Sequence, residues 1–347
     1  MADGRGGTNT RGDAAGRAGM REVAQRAGVG IATVGRVLNE RGHVSPATAK
    51  RVLDAARELG LRRILPLPHR PVLRFEVLLA HPHSSFLTRL NHGFASLAAT
   101  LDHSVVVQRT IMSHWEPARV ADNIRRLRSD GLIVLAEAHA DVRDAIVAVT
   151  GAGTPVVCMV TDIPGSGRTA YVGIDNAKAG RTAGLLVARM SRRPGPVLVL
   201  TGDLGLRAHT ERLAGFRTGL LGEAPDARIA AVLDGRDEED RAGRLLRKAL
   251  KDNPDTVAIY DSDGCHSVVA SAIHTAGKVG GIVFIGHELT AETQALLRDG
   301  MMTLTIDQAF ELQARRAVEV LLHQVGRVDT LPGPVEIPFS LHTRENA

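Results

Sequence analysis

The stretch MREVAQRAGVGIATVGRVLN, residues 20–39, decides how the N-terminal end of the chain folds. Val23, Ala24 and Ala27 recur at helical spacing, Gly28 permits a left-handed turn, and Val34, Val37 and Leu38 resume the helical period after it. The pattern is helix, tight turn, helix. A third helix is predicted over 45–59, because Ser45 is a good N-cap, Pro46 suits the first helical position, and Val52, Leu53, Ala56 and Leu59 form an apolar stripe. Three such short helices can share one small core. In a helix-turn-helix the second helix enters the major groove of DNA while the first crosses the backbone.

Working outward, the residues placed to face DNA are Arg21, Gly30, Ile31, Ala32, Thr33, Arg36, Asn39 and His43. Ile31 and Ala32 offer apolar contact to a thymine methyl, Thr33 a hydroxyl for phosphate, and Arg36 a fork for guanine O6 and N7. Charge agrees with this. Residues 1–74 hold 14 Lys and Arg against 6 Asp and Glu, a net of +8, whereas the remainder holds 29 against 32, a net of −3. A basic end on a near-neutral body suits a module that meets a polyanion. Residues 1–18, rich in Gly, Arg and small side chains, read as a disordered tail without the apolar stretch of a secretory signal, which implies a cytoplasmic protein.

At 347 residues the chain is long enough for more than one domain, and 44% hydrophobic with 23% charged residues is near the globular average. No apolar run reaches the roughly 18 residues a membrane-spanning helix needs. Cys158 and Cys265 lie far apart in apolar surroundings and read as reduced buried thiols. A Pro-rich linker is expected over 62–73, where Pro66, Pro68 and Pro71 disfavour helix.

From Arg74 onward, short β-rich runs alternate with amphipathic stretches. Strands are predicted at 75–80, 105–109, 132–136, 156–160, 197–201, 229–233, 257–260 and 282–285. Continuous apolar strands with helical crossovers predict parallel, doubly wound sheets in an α/β domain over 74–347. Ligands of such sheets bind beyond the carboxyl ends of the strands. The polar residues there include Phe86 with its preceding histidines, Glu137, Asp175 and Asn176, Asp203, Asp261, His287 with Glu288, and Asp307 with Gln308. Carboxylates, amides and an aromatic plate suit a polyhydroxylated ligand. No phosphate loop, nucleophile elbow or Cys-x-x-Cys pair is present, and no metal-ligand set forms around His81 and His83. These residues point to a binder without cofactor, metal or catalytic group, not to an enzyme.

Residues 20–60 resemble the DNA-binding headpiece of the lac-repressor family, through the pattern VAxxAGVxxxTVxRVLN over 23–39 and VSxxTxxRVxxAAxELG over 44–60. Gly30 and Gly35 stand where that family usually has serine. The family's hinge helix wedges a leucine into the minor groove; Leu65 or Leu67 is the candidate here, with an extended linker that has no DNA role as the alternative. The sensor region resembles the type I periplasmic sugar-binding fold through GIDNAKAG at 173–180, ERLAGF at 211–216 and IGHELT at 285–290. That resemblance implies two lobes with chain crossings near 161–174, 286–291 and 305–308. It assigns ligand contact to Phe86, Arg212, Asp261, Glu288 and Gln308 beside Glu137, with a neutral sugar or polyol as effector. It further implies a repressor that binds a pseudo-palindromic double-stranded operator as a homodimer or tetramer, with no membrane partner.

Overall fold

In the N-terminal unit, α1 (Met20–Ala27) ends at Gly28, whose φ of 65° is the left-handed turn the sequence requires. Val29 follows, Gly30 caps α2 (Ile31–Leu38) through backbone alone, and α3 (Pro46–Glu58) starts at Ser45, whose side chain accepts from the Thr48 amide at 3.3 Å. Val23, Ala24, Ala27, Val34, Val37, Leu38, Val52, Leu53 and Ala56 are buried together, so the three apolar stripes close on one another. The computed structural model describes residues 19–39, 44–61, 71–80, 85–112, 116–236, 238–262, 264–331 and 333–347, with the side chains of 85–87 left out. His43, Leu65, most of the Pro-rich linker and the 1–18 tail lie outside the described residues. The chain divides into two units between Val72 and Leu73.

The second unit runs β1 (Leu73–Leu79), α4 (Ser85–Ala98), β2 (Val105–Ile111), α5 (Pro117–Arg126), β3 (Gly131–Leu135), α6 (Ala140–Gly151), β4 (Val156–Met159) and β5 (Ala170–Val172). It continues α7 (Asn176–Met190), β6 (Pro196–Thr201), α8 (Arg207–Glu223), β7 (Arg228–Asp234), α9 (Glu239–Asp252), β8 (Ala258–Asp261) and α10 (His266–Thr275). The last elements are β9 (Val283–His287), α11 (Ala291–Arg298), β10 (Leu304–Asp307), α12 (Phe310–Gln324) and β11 (Ser340–His342). One sheet has the order β2-β1-β3-β4-β5 and the other β11-β10-β9-β8-β6-β7, parallel throughout except for β11 against β10. Helices on both faces bury both sheets, which is why their strands are continuous apolar runs such as Gly131–Leu135.

Three differences from the sequence reading stand out. β5, β10 and β11 are only three or four residues long, too short to carry a readable period. The chain passes between sheets at 173–175, at 308–309 and at 325–339. The segment 286–291 is not a crossing, because β9 and β10, on either side of α11, are neighbours in the same sheet. No helix among the described residues is long and apolar enough to cross a membrane.

α7 and α8 pack through glycine. A Cβ on Gly180 or Gly184 would lie 2.1 or 2.3 Å from the carbonyl oxygens of Arg212 and Phe216. One on Gly215 or Gly219 would lie 2.2 or 2.1 Å from those of Ala177 and Arg181. Glycine four residues apart on each helix lays small positions on one face of each, so the backbones touch.

Candidate functional site

The DNA-facing candidates of the first unit form an exposed surface. Ile31 is 47% exposed, Arg21, Gly30, Ala32, Arg36 and Asn39 are exposed, and Thr33 is partly covered. The Arg36 Nη2 donates to Thr33 Oγ1 at 3.2 Å, one turn apart on α2, so the guanidinium is set beside the start of the helix. Asn39 is the C-cap of α2, and its Nδ2 donates to the Gly35 carbonyl at 2.8 Å. That amide closes the helix, which is a use the sequence reading did not foresee.

In the second unit, a cleft of about 1190 Å³ opens at the carboxyl ends of the strands of both sheets. Its centre is Arg212, on the second turn of α8 and 4% exposed. Arg212 Nε donates to Asn176 Oδ1 at 2.8 Å, Nη1 to the Ser262 carbonyl at 3.3 Å, and Nη2 to Gln308 Oε1 at 2.7 Å. Asn176 opens α7 just after one passage between the sheets, and Gln308 stands in another. One guanidinium therefore joins two interlobe passages to the end of β8. Gln308 Nε2 in turn donates to Glu288 Oε1.

Glu288 has the left-handed φ of 72° straight after β9. Its carbonyl accepts from Thr293 Oγ1 at 2.8 Å and Thr305 Oγ1 at 2.9 Å, which holds a conformation that side-chain-bearing residues rarely adopt. Burial pushes its carboxyl up to about 8, with the neighbouring Asp307 charge adding to the effect. Arg89 of α4 lies 3.6 Å from both Glu288 and Asp307 and also pairs with Glu311, so its shared charge does not reverse that rise. His287 is 1% exposed, with Nε2 2.8 Å from the Tyr260 hydroxyl. Burial, then the charges of Arg212, His266 and His209, hold its imidazole well below the usual histidine range.

Of the six ligand-contact candidates, Arg212, Glu288 and Gln308 are brought together in the cleft. Asp261 is not among its lining residues: it is fully buried, and its Oδ1 accepts from the Gly264 amide at 3.1 Å. Alternation explains the miss. Tyr260 packs on the α8 side of the sheet and Ile259 on the other, so Asp261 follows Ile259, and Ser262 is the residue that lines the cleft. Glu137 is half-buried, and its carboxyl group packs against Gly205 instead of lining the cleft. Phe86 belongs to α4, and its side chain lies outside the description.

Sequence reasoning missed Arg89, His92 and Ser96 on α4, His209 on α8 and His266 at the start of α10, all of which line the cleft. A signal existed for some of them. Arg89, His92 and Ser96 fall at i, i+3 and i+7 on one helical face, and His209 is one turn before Arg212. Nothing in the sequence marks which end of those helices looks into the cleft.

Residues 75–327 match the family described as Periplasmic binding protein domain, and residues 19–63 match Bacterial regulatory proteins, lacI family. The HTH-type transcriptional regulator CelR of Thermobifida fusca is 25% identical over 93% of this chain and 96% of its own length. The ribose import binding protein RbsB of Salmonella typhimurium is 24% identical over 69% of this chain and 80% of its own. Among solved structures, the glucose-galactose binding protein GanP of Geobacillus stearothermophilus superimposes with a TM-score of 0.71 at 23% identity, covering 80% of this chain and 99% of that one. At that identity the likeness speaks for the fold.

Proposed function

The chain belongs to the periplasmic binding protein domain family and carries a lacI-family headpiece, which makes it a DNA-binding transcription regulator, and from that premise we propose that it is a repressor governed by a small sugar or polyol. The observation that carries the reading is the Arg212 node. A single buried guanidinium ties the end of β8 to two passages between the lobes, so a ligand in the cleft meets the device that fixes how the lobes stand. A ligand shifts a conformational equilibrium only by its differential affinity for the two states, and this node is where such a difference arises.

The rest follows from the same division of labour. The face of α2 carrying Ile31, Ala32, Thr33 and Arg36 reads the major groove of a pseudo-palindromic operator, and two copies of the chain supply two half-sites. His43 and Leu65, outside the described residues, are proposed as further DNA contacts, Leu65 in the minor groove. Arg212, Glu288 and Gln308, with Phe86 from the first lobe, contact the effector, and the protein works in the cytoplasm. Ribose and allose binders among the relatives support a sugar as the effector class. A carrier of such sugars needs no headpiece, which sets this chain apart from them.

The test uses the full chain. Selection from random double-stranded DNA is expected to return a site with two inverted half-sites, and a sugar panel is expected to contain at least one member that changes affinity for it. Recovery of unstructured sequences with a purely salt-governed affinity would remove the regulator reading.

A further inference from the structure

Deep in the cleft most acceptors are engaged, whereas several polar atoms have no hydrogen bond. Asn176 Oδ1 and Gln308 Oε1 accept from Arg212, and Glu288 Oε1 accepts from Gln308. Asp307 accepts from the amides of Leu289 and Ala309 at 3.0 and 3.1 Å. By contrast, Arg89 Nη1, His266 Nε2, His287 Nδ1 and Glu288 Oε2 are buried atoms of cleft-lining residues without a hydrogen bond, although Arg89 Nη1 lies 3.6 Å from both Glu288 Oε2 and Asp307 Oδ1.

The chemistry of those four atoms is almost one-sided. Arg89 can only donate. The Tyr260 hydroxyl is fully buried, and donating to His287 Nε2 leaves the imidazole proton on Nδ1 as a second donor. Glu288 stays protonated near neutral pH and accepts on Oε1, so Oε2 carries the proton and is the third. Only His266 Nε2 can take either role, and it lies 3.9 Å from Asp261. The left-handed backbone at Glu288 matters here, because it breaks the alternation that would send His287 and Glu288 to opposite faces.

A sugar hydroxyl brings a hydrogen that needs an acceptor, whereas a carboxylate only accepts. We infer that the effector is a sugar acid, a polyhydroxylated carboxylate whose anionic group sits between Arg89 of the first lobe and His287 and Glu288 of the second. This rests on the sugar-type reading above and replaces the neutral sugar expected from the sequence. One negative charge is what the cleft accommodates, since Arg212 is bound to three protein acceptors and Arg89 is shared with Glu288, Asp307 and Glu311. A phosphate dianion would need more fixed positive charge. The hydroxyl tail meets Ser96, Thr161 and Thr290, with the exposed Glu239 and Glu292 at the mouth.

The experiment is calorimetric titration of the full chain with matched pairs: D-glucose and D-glucuronate, D-galactose and D-galacturonate, D-ribose and D-ribonate. At least one acid is expected to bind about ten-fold or more tightly than its neutral partner. Its affinity is expected to fall from about pH 7 to pH 9 as Glu288 ionises against Asp307, Arg89 and Arg212, losing a donor and gaining a like charge. Glu288→Gln is expected to flatten that slope, and the wild-type pH series stands alone if the variant does not fold. Neutral members that bind as well as or better than every acid overturn the inference and leave the sugar reading intact. Binding of neither class up to about 10 mM overturns both.

Discussion

The headpiece and the sensor unit hold their polar side chains in opposite states. On the headpiece, Arg21 and Arg36 stand exposed at the surface, and the ion pair of Arg26 with Glu58 is more than half exposed on both sides. In the sensor, Arg212, Gln308 and Glu288 are buried and bonded to one another and to neighbouring protein groups. A partner as large as DNA can be read by side chains that wait in water, because the partner itself excludes that water. A small ligand cannot do this, so its site is built dry and its groups are held by the protein before the ligand arrives.

If that contrast is correct, substitutions should hurt in proportion to how far their site is sealed. The largest effect is expected for Gly219→Val, whose side chain would enter the backbone of α7 2.1 Å from the Arg181 carbonyl. Loss of more than about 4 kcal/mol is expected, read as absence of a cooperative thermal transition for the sensor unit. A variant melting near the wild type would show that the two helices can part.

Arg212→Ala comes next, because it leaves Asn176 and Gln308 without their donor inside a buried network. A cost of about 3–5 kcal/mol is expected, with the effector response lost and operator affinity without effector retained. Arg212→Lys restores charge but not the fork and is not expected to rescue the response. Unchanged effector affinity in the alanine variant would detach Arg212 from sensing.

Glu288 sharpens the comparison through pH. Its carboxyl sits near 8 in the folded chain against an ordinary value of 4.5, so the folded state holds the extra proton between those limits. The stability this group contributes is present at low pH and is lost as pH rises toward 8 and beyond. Glu288→Gln, which cannot ionise, is therefore expected to gain on the wild type as pH climbs from 5 to 9, by on the order of a few kcal/mol at the top. Parallel melting curves across that range would mean the carboxyl ionises freely.

The headpiece effects are smaller. Arg36→Ala is expected to cost about 1–3 kcal/mol on the cognate operator and much less on random DNA, while the melting temperature barely moves. Equal losses on both DNAs would make Arg36 a phosphate contact. Glu58→Ala, which breaks the exposed pair with Arg26, is expected to change stability by less than about 1 kcal/mol and to vanish into error at high salt. A larger change would place that pair among the sealed contacts and blur the distinction.

Much of the architecture could be read from residues alone, because it rests on period. Val23, Ala24 and Ala27 declare a helix face, and Gly131–Leu135 declares a strand buried on both sides. The strand-end rule pointed to Glu288, which follows a strand that period had located, whereas Arg212 was marked by the family resemblance and Gln308 follows β10, too short to carry a period. Asp261 failed because the last residue of a strand obeys alternation while the next, Ser262, faces the cleft. Glu137 failed because Gly205, far along the chain, comes to occupy the space beside it. His209, His266 and Arg89 carry no mark of their own. Their role comes from which helix ends converge, and that is decided by sheet order, to which local sequence is blind.

The glycine contact between α7 and α8 also says how this regulator answers to compression. Pressure acts on a protein through the void it can eliminate, and where Gly180 meets the carbonyl of Arg212 there is almost none. The cleft, by contrast, can change width without driving backbone into backbone. Squeezing the molecule would narrow the space around an effector long before it shortened the distance between these two helices, so the helix that carries Arg212 acts as a rigid rail beside a soft gap.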